Sequence, residues 1–522
     1  MSTMQCVDHR PRCPRQAGCS WAAQNISVRG QAGDPFFNAG GLRWALQNVA
    51  DPEALAPGTF YTAGGRVFYR TLPGEAAPTD ASLIGELLPE AIVLSGSAAA
   101  PVQGVMIANL SIAFTAAALE ESCLSGGCGG QSCSESASAA VHAHYATGAT
   151  LDGVEVIGPG SYAVWLDEGC ADSTVAHSWL HSLGMGGVRV GNGQDTGLPS
   201  TAPAQRIAIA DNVITDAGHV VPAGTGVLAQ ECANTTITHN HIHHLYYTAI
   251  STGWSWGYMP TSDAGNTVSF NLLHDIFMGE LSDGACVYNL GRSPGTIIDN
   301  NVCHTSNAYG YGGWGLYTDE GSSNVTITNN VVFSTKDAGF HQHYGTDNTI
   351  MNNIFAFGSS LPCANENANG DCDVAAVRSS QHPVANHDAG VNSSFTFRRN
   401  IVLLGTPDPA LAPFVSNITH IFMTLGPTLG VANMTFAANL YWHNALQDPP
   451  SELVFGASGD PQGFASWQAA GKDAGSRIAD PLFVDAEGLN FALQPGSPAL
   501  AMGFVPIDTS SVGVRSGAYR AL

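Results

Sequence analysis

Lysine is almost missing from this chain of 522 residues, occurring only at Lys336 and Lys472. Charged residues of every kind make up 11%, and 42 acidic against 18 basic residues leave a net charge of -24. Nucleic acid and anionic membranes are bound through clustered positive charge, so neither is expected as a partner. A polyanionic polysaccharide is disfavoured on the same ground. No run of about 18 apolar residues occurs, and no helical membrane span is expected. The opening MSTMQCVDHRPRCPRQAGCSW lacks the apolar core of a secretion signal. The twelve cysteines lack the paired C-x₂-C hooks of a structural zinc site, and neither metal nor other cofactor is expected. A sustained 3.6-residue hydrophobic period is missing too, which argues against a helical fold.

What is present is a repeat. Asparagine recurs in one local context at Asn212, Asn240, Asn271, Asn301, Asn330 and Asn353, at steps of 28, 31, 30, 29 and 23 residues. Three residues before each stands Ile209, Ile237, Val268, Ile298, Ile327 or Ile350, and two after stands Ile214, Ile242, Leu273, Cys303, Val332 or Phe355. Apolar residues alternating about a polar turn predict short strands on both sides of it. A second short strand follows in each unit, as in GVLAQ from Gly226, CVYNLG from Cys286, GLYTDEG from Gly315 and GFHQHYG from Gly339. Strands at this period, punctuated by Gly (60 in all), Asn and Asp, predict an all-β chain folded as a right-handed parallel β-helix with terminal capping segments. The asparagines then form a ladder, stacked at one turn and bonding the backbone of neighbouring coils.

Along the chain, residues 1–100 read as an irregular N-terminal segment with cap-like strands, 101–445 as the β-helix and 446–522 as a C-terminal cap. The stretch from Asn38 predicts a short helix and then two strands around a turn at Ala63 to Gly65. Loop-like insertions run from Glu120 to Ser138 and from Gly358 to Asn392, holding Cys123, Cys128, Cys133, Cys363 and Cys372. With sequons at Asn25, Asn109, Asn234, Asn324, Asn392, Asn417 and Asn433, these cysteines suggest an extracellular or secretory location and a glycoprotein, expected to be a monomer.

Aligning CVYNLG, GLYTDEG and GFHQHYG on their first residues turns Val287, Leu316 and Phe340 inward. Tyr288, Tyr317 and His341 form one outward column, and Leu290, Asp319 and His343 another, because side chains alternate across a strand. Hydrolysing a glycosidic bond usually takes two carboxyl groups, one acid and one nucleophile or base. Asp283 and Asp319, on adjacent coils, are the candidates. Glu320 should point away from Asp319 in an extended strand and ranks as a substrate contact. Trp254, Trp256, Tyr311 and Trp314 can stack on a sugar ring, with Tyr288, Tyr317, His341 and His343 beside them. Asp-Gly is also ordinary turn chemistry, and aromatic rings beside tight glycine turns are often only packing. The run His239, His241, His243 and His244 reads as turn and ladder structure.

ISTGWSWGY from Ile250, SDGACVYNLGRSPGT from Ser282, YGYGGWGLYTDEGSSN from Tyr309 and GFHQHYG resemble glycoside hydrolase family 141. The similarity reaches outward to APGTFYTAGGRVFYR, ADPLFVD and PGSPAL, and so covers most of residues 40–515. The family's double glycine before the strand is here Ala285-Cys286. The resemblance implies a parallel β-helix enzyme of α-L-fucosidase or xylanase type, acting on plant, algal or microbial saccharides. It also implies a catalytic pair of aspartates falling on the motifs of Asp283 and Asp319. A polysaccharide lyase or epimerase and a noncatalytic carbohydrate-binding β-helix remain as alternatives.

Overall fold

The computed structural model describes strands Met4–Gln5 and Ala45–Leu46, then residues 51, 53, 55–76, 85–117, 137–192, 199–358, 375–379, 393–408, 420–424, 433–444, 453–457 and 460–515. The cysteines of the two insertions and the sequons at Asn25, Asn392 and Asn417 lie outside these residues; within the second insertion, expected as a loop, Ala375–Ser379 is instead a strand paired with Phe340–Gln342 and His420–Thr424. Two compact units are distinguished: Met1–Leu87 with Ala118–Ala137, and Leu88–Ala117 with Ser138–Leu522. In the first, Phe60–Ala63 and Arg66–Tyr69 form the expected hairpin, turning at Gly64 and Gly65, both with positive φ. Where a short helix was expected, Ala45–Leu46 is instead a strand paired with Met4–Gln5. Two residues of backbone pairing override a weak helical pattern there.

In the second unit the described strands build three long sheets of 11, 12 and 14 strands, each coil giving one strand to each sheet. Neighbours pair in parallel, the final hairpin of Val454–Ala457 with Asp460–Gly463 excepted, and the register runs unbroken through Ile209↔Ile237↔Val268↔Ile298↔Ile327↔Ile350 in the first sheet. All six side chains lie at most 1% exposed in one continuous core, and burying each contributes about 1.5–3 kcal/mol. The ladder is as expected. Asn212 Nδ2 donates to Asn240 Oδ1 at 3.0 Å and to Val175 O at 2.9 Å, and the Asn212 N–H also donates to Asn240 Oδ1. The same pattern repeats through Asn271, Asn301, Asn330, Asn353, Asn400 and Asn439. Before each asparagine stands a residue with φ between about 50° and 60°: Asp211, His239, Phe270, Asn300, Asn329, Asn352, Arg399, Ala438. Left-handed turns at Phe, Arg and Ala are costly, and the satisfied ladder offsets that cost.

The stack begins with Ile92–Ser95 beside Ala139–His144. At its other end, helix Phe464–Ala469 places Trp467 against Phe422, Phe436 and Phe455 of the core. Beyond it the chain does not cap the end but turns back. Phe483, Phe491, Ala499 and Phe504 pack on outward-facing Val331, Phe333, Ile354 and Leu403 of the 12-stranded sheet. The tail then follows the left-handed turns, where Gly513 N–H donates to Phe270 O and Arg515 pairs with Asp211.

Candidate active site

The outward columns form as aligned. Strand Ala285–Arg292 pairs with Trp314–Ser323 through Val287↔Leu316, Tyr288↔Tyr317 and Leu290↔Asp319, and the latter strand pairs with Phe340–Gln342 through Tyr317↔His341. Past the end of that strand, His343 N–H donates to Thr318 O at 2.9 Å, and this continues the rung. Asp319, 4% exposed, collects three partners. Tyr288 Oη donates to its Oδ2 at 2.6 Å, His343 Nδ1 lies 2.9 Å from Oδ1, and the Tyr317 phenol also bonds the carboxylate. The His343 imidazole is held above its ordinary pKa. Burial works against the charge, but the Asp319 hydrogen bond and the charges of Asp319, Glu320 and Asp283 outweigh it.

Asp283 enters from the turn before Ala285–Arg292, at φ 59°. Its N–H donates to Tyr311 O at 3.0 Å, its carbonyl accepts from Tyr247 Oη at 2.8 Å, and the Tyr311 phenol bonds its side chain. Burial raises the phenols of Tyr247, Tyr288, Tyr311 and Tyr317, and the charges of Asp283 and Asp319 raise all four further. Both carboxylates thus act on one shared cluster of rings, which is the juxtaposition the motifs predict.

Three expectations need correction. Glu320 does not point away: its Oε1 lies 3.8 Å from the same His343 Nδ1 that contacts Asp319, and Tyr344 Oη donates to its Oε2 at 3.0 Å. The pairing runs Leu290↔Asp319 and then Arg292↔Ser323, so the longer strand bulges at Glu320 to Ser322 and alternation fails there. Gly321 takes φ 80° at the bulge, and a Cβ there would stand 2.0 Å from Gly257 O. Secondly, Trp314, at 2% exposure, offers no face to a sugar: His341 stacks on it at 4.1 Å and Tyr317 tilts against it at 4.5 Å. Trp254 is buried beside Tyr288 and donates from Nε1 to Ser251 Oγ. Tyr288, Tyr317 and His341 are likewise at most 3% exposed, and they brace Asp319 and one another. The accessible members of the set are Tyr311 at 46%, with half-buried Trp256, His343 and Glu320. Sequence reading missed Tyr247, Tyr258, Tyr344 and Lys336, which reach the cluster from turns whose course no periodicity encodes.

Thirdly, the histidine run is more than turn structure. His239 does occupy a turn, but His243, His274 and His304 stack ring on ring down the 12-stranded sheet, ending on Phe333. His241 Nε2 lies 2.7 Å from His274 Nε2. Among the described residues no three such groups are placed to hold a metal. Burial first, and neighbouring imidazoles second, lower His241, His243 and His304 to about 4. Between that value and the ordinary 6.5 the unfolded chain binds protons that the folded one does not, so stability falls as pH falls through this window. A urea titration at pH 4.5 is expected to show a loss of about 2 kcal/mol relative to pH 7.5, after discounting for solvent screening. The loss should shrink in a His241→Gln, His243→Gln variant, and an unchanged loss would clear these rings of it.

Comparison with known proteins agrees on architecture. Residues 201–401 match the family model described as right handed beta helix region. A solved structure titled "Glycoside hydrolase" superposes with a TM-score of 0.50 at 19% identity, over 62% of this chain and 59% of that one. The fold is a right-handed parallel β-helix. The A-module of an Azotobacter vinelandii mannuronan C-5 epimerase aligns at TM-score 0.38 and 12% identity, over 74% of this β-helix chain and 92% of that one. A mannuronic acid specific polysaccharide family 6 lyase from human gut microbiota aligns at 0.34 and 13%, over 65% and 76%. A search of curated proteins finds no match.

Proposed function

We propose that the protein is a glycoside hydrolase using Asp319 and Asp283, of the α-L-fucosidase or xylanase type of glycoside hydrolase family 141, acting on a neutral sugar of a polysaccharide or oligosaccharide. The observation that carries this reading is the pair of aspartates acting on one shared cluster of rings. A lyase or epimerase working on uronates has to offset the substrate carboxylate. Here Asp283, Asp319 and Glu320 gather about His343, Arg292 is exposed at the far end of its strand, Lys336 is spent on carbonyls, and Arg378 enters only in the next coil, in register with His341. The buried phenols, all raised, are poor bases at neutral pH. Asp319 is surrounded by the donors Tyr288, Tyr317 and His343, which suits it to serve as nucleophile or base, and Asp283 is the second carboxyl of the pair. Accessible Tyr311 and Trp256 supply ring contacts to the sugar.

Export is part of this proposal. Cys286 and Cys303 form a disulfide within the core, and the sequon residues Asn109, Asn234 and Asn324 stand exposed in turns. Both suit an oxidising, glycosylating route. The deciding assay presents aryl α-L-fucoside, aryl β-xyloside, xylan and a fucosylated polysaccharide. Sugar release from one of them is expected. An unsaturated uronate as product, or calorimetric binding without release, would replace the hydrolase reading by the lyase or the binding one.

A further inference from the structure

Lys336 is buried, with 6% of its surface exposed, and its ammonium faces three successive carbonyls of the preceding coil. Nζ donates to Ala308 O and Tyr309 O at 2.8 Å each, and to Gly310 O. An ammonium has three N–H donors and no acceptor, so this contact matches it donor for donor. Three carbonyl oxygens turned toward one point repel one another, and the ammonium's charge offsets that repulsion. Lysine occurs twice in the chain, and half-buried Lys472 donates to one backbone carbonyl, Met434 O, at 2.6 Å.

The clamped residues hold the two residues before Asp283, and their neighbour Tyr311 holds Asp283 itself. Tyr309 N–H donates to Leu281 O at 2.7 Å, and Gly310 N–H donates to Ser282 Oγ at 2.8 Å. Tyr311 O accepts from Asp283 N–H, and the Tyr311 phenol bonds the Asp283 carboxyl. The lysine thus sits one coil beyond this short loop and two beyond the carboxyl it governs. We propose that Lys336 is a positioning residue, a built-in cation that gathers the 308–310 carbonyls and so fixes Tyr311 and Asp283 in their working pose. Its part in turnover rests on the hydrolase reading above; its grip on the loop does not. The turn at Asp283 has φ 59° and is tied to the clamped loop through Tyr311, so loosening that loop should loosen the turn.

Hydrogen exchange by mass spectrometry separates the two levels. In Lys336→Ala, exchange over 305–313 and 279–285 is expected to rise on the order of tenfold, with the rest of the stack unchanged. Propylammonium, which refills the carbonyl cage, should restore protection in Lys336→Ala but not in Lys336→Met, whose side chain blocks it. Turnover should fall about 10²-fold with KM little altered, and recover with the same amine. Unchanged exchange in Lys336→Ala overturns the proposal, and so does wild-type turnover from a loosened loop. Should Lys336→Ala fail to fold, Tyr311→Phe keeps the clamp and breaks its link to the carboxyl; wild-type kcat there overturns the positioning role. Loosening and amine rescue in a protein that hydrolyses nothing would uphold the clamp and refute only the hydrolase reading.

Discussion

An Asp319→Asn protein is expected to fold normally and to lose about 10³-fold or more of its glycosidase turnover. The fold should survive because asparagine has the same shape and leaves an acceptor for Tyr288 Oη, now 2.6 Å from the carboxylate. Its Nδ2 can face His343 Nδ1 once the imidazole takes the other tautomer, so no buried donor is left bare. What disappears is the negative oxygen that attacks or takes a proton. A second readout needs no substrate. Burial pulls the His343 pKa down, and Asp319, through its hydrogen bond and its charge, does most to push it back up. Removing that charge should bring the imidazole titration to lower pH by nuclear magnetic resonance. A lowered titration with undiminished turnover would keep the contact and remove Asp319 from the chemistry. Asp283→Asn should cost turnover on the same scale, with a smaller effect on His343, because the Asp283 charge is its weakest influence.

The parts of this molecule legible in the sequence are those governed by a repeat. Inward Ile, Val and Leu at fixed offsets from an asparagine specify strand, turn and register together, because slipping by one residue would turn every side chain outward. The columns Tyr288, Tyr317, His341 and Leu290, Asp319 follow from that register without further information. Alternation misleads where the chain leaves it. Two extra residues bulge after Asp319 and swing Glu320 toward His343, and only Gly321 marked the place. Side-chain exposure is the second blind spot. An outward position on a sheet is open only if nothing is laid over it, and Tyr311, Tyr317 and His341 lie against Trp314 as Tyr288 lies against Trp254. The histidine column escaped for a different reason: His274 and His304 come from other coils, and only stacking reveals that they continue His243.

Substituting Asn271 by Ala should destabilise the stack by about 3–4 kcal/mol, more than any single exposed turn residue. Asn271 accepts from both the N–H and Nδ2 of Asn240, and it donates to Ile237 O and Asn301 Oδ1. Alanine therefore strands the buried backbone N–H of Asn240, at about 1–3 kcal/mol, and removes one bond each from Asn240 Nδ2, which keeps Ile209 O and Thr238 O, and from Ile237 O, at about 0.5–1.5 kcal/mol each. Because each coil touches only its neighbours, the damage should be local, with amides of the Asn240 and Asn301 coils exchanging sooner than those near Val156. Asn271→Asp offers a sharper test of the ladder itself. The carboxylate keeps the acceptor for Asn240 but cannot donate to Ile237 O or Asn301 Oδ1, and it buries a charge. Its folded pKa should lie above the unfolded one, so the variant should regain stability relative to wild type as pH falls and the protonated acid recovers one donor. If Asn271→Asp and Asn271→Ala lose the same amount at every pH, the side-chain ladder is not what sets the coil spacing, and the inward isoleucines carry that role alone.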